Sequence, residues 1–161
     1  MGLTTQVGNL VWQKAKNALT AANANPAEQR AFIDALKPFI AEQKRNPDLA
    51  FIPFSAEQVV TNTGFQAVDV ACTLYGIWAK GRRTTGTTSS FLAVHAAADN
   101  AATTTTVLTT RFKATGQACA YVNGAGLAVE TALTLSAATA VGGATESSAA
   151  DAADGFIIVG A

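Results

Sequence analysis

Near the end of the sequence, within AADGFIIVGA, stands the run Phe156-Ile157-Ile158-Val159. Successive side chains of a strand point to opposite faces, so an extended run of this composition is apolar on both. Such a strand needs cover on both sides. In a two-sheet structure the second sheet covers one face only. The other needs either the front of the chain or another subunit. Left open at a sheet edge, the run would pair with strands of other molecules. The expectation is therefore a strand held in the sheet, at an edge or beside a neighbouring chain, with an oligomer contact through Phe156 and Ile158 completing its burial.

The front of the chain has a different period. In NLVWQKAKNALTAA, Leu10, Val11, Lys14, Ala18 and Leu19 recur at near-helical spacing. NPAEQRAFIDALKPF opens like a capping box: Asn25 caps, Pro26 suits the first helical position, and Glu28 follows three after the cap. Phe32, Ile33, Leu36 and Ile40 form one apolar stripe. Pro38 interrupts it, and its ring opposes the carbonyl of Asp34, so a kink or break is expected there. RNPDLAFIPF reads as a loop with apolar side chains, and Ser55 with Gln58 opens a short third helix, SAEQVV.

From about residue 67 the period becomes two. VDVACTLYGIW places Val68, Val70, Cys72, Leu74 and Trp78 on alternate positions. SSFLAVHA, TTTTVLTTRFK, QACAYV, LAVETALTLS and GFIIVG follow as further strands, with Asn123-Gly124 as a hairpin turn between the fourth and fifth. AVGGATESSAADAAD is a small-residue loop. Strands without intervening helices point to an antiparallel sandwich or barrel. The fold class is α+β: N-terminal helices followed by an antiparallel β-sandwich or barrel. Residues 1–66 form the helical region and 67–161 the β domain, packed together as one unit.

Charge narrows the function. Lys plus Arg and Asp plus Glu are 11 each, so the formal charge is zero, and charged residues are 14% of the chain against roughly 25% in a typical soluble domain. Bulk nucleic-acid binding is not indicated, and so little charge protects weakly against association. Lys80-Gly81-Arg82-Arg83 reads as a solvated turn. No apolar run approaches the roughly 20 residues that cross a bilayer. MGLTTQVGNL lacks the basic start and apolar core of a secretory leader.

Chemistry-bearing patterns are few. The single histidine, His95, reads as a satisfied or surface residue. A Ser-His-Asp or Cys-His arrangement would have to use it, and there is no G-x-S-x-G elbow. One histidine with Cys72 and Cys119 far apart does not supply the short-spaced ligands of a zinc site. The cysteines read as buried free thiols, with a disulfide open only if their strands pack closely. NGAGLAV has G-x-G but Val129 in the third glycine position, so the hairpin reading prevails over a phosphate loop. Of the acids, Asp69 and Glu130 fall in strand patterns, facing outward. Trp12, Trp78, Tyr75 and Tyr121 suit core packing more than a sugar platform. No catalytic residue, metal ligand or cofactor site is expected, and a structural or binding role is favoured over catalysis.

A short chain starting MGLTT, a front part with helices, and a Thr/Ala/Gly-rich β part from VDVACTLYGIW to DGFIIVGA resemble the small capsid-decorating (cement) proteins of tailed bacteriophages. The resemblance implies a homo-oligomer, commonly a trimer, on the outer surface of an assembled shell. Its partner is the major capsid protein, and extended ends pair with capsid strands. It implies contacts through Gly2, Leu3, Thr4 and Thr5, with Arg82, Arg83 and Arg111 facing acidic capsid surface, and a virion protein made in the host cytoplasm that uses neither nucleic acid nor membrane. Many such proteins are mostly β, so three front helices are a departure. The alternatives are another virion component, such as a head fibre base or tail protein, and a carbohydrate-binding β-sandwich, which needs at least two aromatics exposed beside polar side chains, with Tyr75, Trp78 and Tyr121 as the candidates.

Overall fold

A computed structural model describes residues 3–42, 49–60, 64–82, 89–98, 106–113, 118–138 and 152–160. Two helices lead, α1 (Leu3–Ala21) and α2 (Pro26–Glu42). Then come β1 (Ala50–Phe54), the single-turn α3 (Ala56–Val59), β2 (Phe65–Val68), β3 (Cys72–Gly81), β4 (Ser89–His95), β5 (Thr106–Lys113), β6 (Ala118–Val129), β7 (Leu133–Ala138) and β8 (Ala153–Gly160). The strands make two four-stranded antiparallel sheets, ordered β1-β8-β3-β6 and β2-β7-β4-β5. The α+β class with a sandwich-like pair of sheets is thus the observed fold. β1 lies inside residues 1–66, which the sequence predicts to be helical, in the stretch RNPDLAFIPF that it predicts to be a loop. The sheets therefore begin well before residue 67.

α2 and α3 start where their sequence says they should, whereas α1 begins at Leu3, ahead of the segment from Asn9 that the sequence predicts. Asn25 Oδ1 accepts from the Glu28 backbone N–H at 2.9 Å, and Asn25 Nδ2 donates to Glu28 Oε1 at 2.6 Å. At α3 the Gln58 side chain accepts from the Ser55 N–H at 2.9 Å. Pro38 does not break α2, which continues to Glu42. Proline forfeits one backbone bond, and Phe32, Ile33 and Leu36 just before it are buried. The side chain of Ile40, the last of the stripe, lies outside the described residues.

Two apolar cores sit on either side of the first sheet. One joins the helices to that sheet: Val11, Ala15, Leu19, Phe32 and Leu36 pack on Tyr75, Trp78, Phe156 and Ile158. The other lies between the sheets, where Leu74, Ile77, Ile157 and Val159 meet Leu92, Val94, Leu133 and Leu135. β8 belongs to both. It is flanked by β1 and β3, with Ile157 paired to Ile52 on one side and Ile77 on the other. Phe156, Ile157 and Ile158 have no exposed surface within the single chain. Phe156 makes an edge contact with Phe32 at 5.5 Å, stacks on Trp78 at 6.0 Å and tilts against Phe51 at 5.8 Å. This corrects the expectation that a second subunit completes the burial of Phe156 and Ile158: β8 is an inner strand, and its outer face is roofed by α1 and α2 of the same chain.

Three strand readings also change. VDVACTLYGIW is not one strand: it turns at residues 69–71 from β2 in one sheet to β3 in the other, leaving Val70 60% exposed. Within β3 the register slips between Leu74 and Gly76 against both neighbours. Tyr75 is the extra residue, so Leu74 faces the sandwich core and Trp78 the helices, although alternation put them together. The Asn123-Gly124 hairpin does not form. Val122 and Leu127 both pair with β3, opposite Gly76 and Leu74, and residues 123–126 bulge out of one continuous β6. Gly126 sits there at φ 78°, and a Cβ on it would come within 2.9 Å of the Tyr75 ring. The chain instead changes sheets at 130–132, which splits LAVETALTLS between β6 and β7. Asp69 and Glu130 are exposed as expected, but in these two turns rather than in strands.

Two substitutions test the packing around β8. Phe156→Ala removes the ring shared by three aromatic neighbours and should lower the unfolding free energy by about 3–5 kcal/mol in denaturant titration. Gly155→Ala places a Cβ 2.0 Å from the Trp78 carbonyl oxygen and 2.9 Å from the Phe54 ring. It should cost about 1–3 kcal/mol or more by the same measurement.

Candidate functional site

Among the described residues the densest polar constellation gathers around Arg82, just past the end of β3. Its Nε donates to Asp154 Oδ2 and its Nη2 to Asp154 Oδ1, both at 2.7 Å, while Nη1 and Nη2 also donate to the two carboxylate oxygens of Glu57. Asp154 Oδ1 further accepts from the Ala56 N–H at 3.0 Å, and the Arg82 N–H donates to the Ala152 carbonyl. One guanidinium thus ties the end of β3 to the start of β8 and to α3. The hydrogen bonds from Arg82 pull the Glu57 carboxyl from its ordinary 4.5 down to about 2. Those to Asp154, and then to Glu57, raise the Arg82 pKa. Arg82 was expected to face an acidic partner. Its charge is instead matched inside the chain, by acids 25 and 72 positions away.

The other expected contact residues are scattered. Gly2 and Arg83 lie outside the described residues. Leu3, Thr4 and Thr5 are in the first turns of α1, so this segment is helical rather than an extended arm; their side chains are not among those described. Arg111 is in β5, paired in register with Phe91 of β4, and its side chain is likewise outside the description.

Several other polar groups among the described residues are tied into the fold. His95 is buried, and its Nε2 lies 2.7 Å from Ser136 Oγ. Thr134 Oγ1 donates to the Ala97 carbonyl at 2.8 Å, and Thr131 Oγ1 to that of Ala96 at 2.9 Å. The satisfied-histidine reading therefore stands. Lys80 Nζ pairs with Glu28 Oε1 at 3.0 Å, and Lys14 Nζ donates to the Leu49 carbonyl at 2.9 Å. Neither Cys72 nor Cys119 is in a disulfide. Although β3 and β6 pair, Cys72 stands opposite Val129 and Cys119 opposite Ala79, at opposite ends of the ladder. Burial raises the Cys72 pKa. Among the described residues, no group of three or more His, Cys, Asp and Glu could hold a metal ion.

Concavities flank the helical layer among the described residues. A cleft of about 380 Å³ between α2 and β6 is rimmed by Ala31, Ala118 and Ala120. Trp78 and Phe32 also line it but are 1% and 2% exposed, so a ligand there would meet chiefly the alanines with half-buried Cys119 and Glu28. Glu28 Oε2 is buried without a partner beside it. A groove of about 420 Å³ runs between α1 and β1, past Ala18, Ala21, Phe51 and Pro53. It adjoins a second space of about 400 Å³ that reaches Arg82 and Asp154. No stacking platform emerges from the aromatics singled out in the sequence. Trp78 and Tyr75 are buried, Trp12 and Tyr121 are half-buried, and the Tyr121 hydroxyl accepts from Asn123 Nδ2 at 3.1 Å.

Comparison with protein-family models, curated proteins and solved structures finds no match. No helix among the described residues is long and apolar enough to cross a membrane.

Two measurements follow from this chemistry. Glu57 has a lowered pKa in the folded chain, so its stabilising pair with Arg82 is complete above pH 4.5 and fades as pH falls toward 2. Between pH 5 and 2 the wild type should lose more melting temperature than Glu57→Gln, which lacks the titrating group. In the native state an alkylating reagent should modify half-buried Cys119 before buried Cys72, as read by peptide mass spectrometry.

Proposed function

We propose that this chain is a structural protein of a virus particle, binding the outer surface of an assembled phage capsid as a homo-oligomer and stabilising the shell. The observation that carries the reading is where the working side chains go. Arg82, Asp154 and Glu57 brace three elements, His95 is bonded to Ser136, and Lys80 is held by Glu28. These groups rigidify a body rather than converge on a substrate. The zero net charge and sparse charge content suit a protein whose surface is meant to be covered.

In this reading the start of α1, with Leu3, Thr4 and Thr5, and the β5 residue Arg111 face the major capsid protein. The contact is made by a helix and a strand rather than by an extended arm. A protein that binds only the assembled lattice stabilises it by mass action, about 2.7 kcal/mol at a free concentration 100 times Kd, and several contacts from one oligomer add avidity. No residue acts catalytically.

The test is co-sedimentation with intact shells of the parent virus and, separately, with unassembled shell subunits. The expected result is binding to shells alone, a raised temperature of shell rupture, and about tenfold weaker binding for Arg111→Glu, the equivalent of about 1.4 kcal/mol. Protein that stays in the supernatant at every concentration would overturn the reading.

A further inference from the structure

We draw no further inference here: the strongest candidate, the apolar cleft of about 340 Å³ on the open flank of the sandwich between β1 and β2, where Val70 stands exposed at the rim, has nothing in the structure to show what covers it.

Discussion

The ring of Phe156, held among Phe32, Trp78 and Phe51, fastens the helical layer to the first sheet. The next residue along, Ile157, points the other way and fastens that sheet to the second. Fully burying a side chain of this size contributes about 1.5–3 kcal/mol, and the four residues 156–159 do so on alternating sides. A strand with no wet face forces a three-layer solution: helices, sheet, sheet. The helices sit at the front of the sequence and the strand near its end, so the fold closes only when distant segments meet. Arg82 marks the same closure electrostatically, gripping Asp154 at the start of β8 and Glu57 in α3.

Local chemistry made much of this legible. The Asn25-Pro26-Glu28 cap, the Ser55-Gln58 pair and the buried stripe of Phe32, Ile33 and Leu36 are short-range patterns, and the structure follows them. The need for cover over 156–159 was equally plain. Its source was not, because sequence separates the helices from that strand by more than a hundred residues and carries no label for which surface does the covering. In two places where period-two patterning misleads, extra residues are the cause. Tyr75 slips β3 by one position, so Trp78 changes face. Residues 123–126 imitate a hairpin turn, yet both sides of that bulge pair with β3 and not with each other. LAVETALTLS alternates without interruption across a change of sheet, since Leu127, Val129, Leu133 and Leu135 all face the same core.

The candidate site was less legible than the fold. Arg82 was visible as a charge, but its partners were not, because an ion pair at such separation leaves no spacing signal. Phe156 and Ile158 are apolar, which suggests a contact with another chain, and that same property buries them inside this one. Any partner must therefore be met by other surfaces. The strongly apolar segment belongs to the interior, and the surface above it is helix, with Lys16, Arg30, Asp34 and Lys37 exposed on it. Any oligomer is built on a protomer whose strand β8 is already covered on both faces.

That completeness is the central claim, and amide hydrogen exchange tests it most directly. Protection of Phe156, Ile157, Ile158 and Val159 should match the global unfolding free energy and should not change as the protein is diluted from high to low micromolar concentration. Protection of these four amides that falls with dilution would mean that another chain covers β8, and would contradict the account.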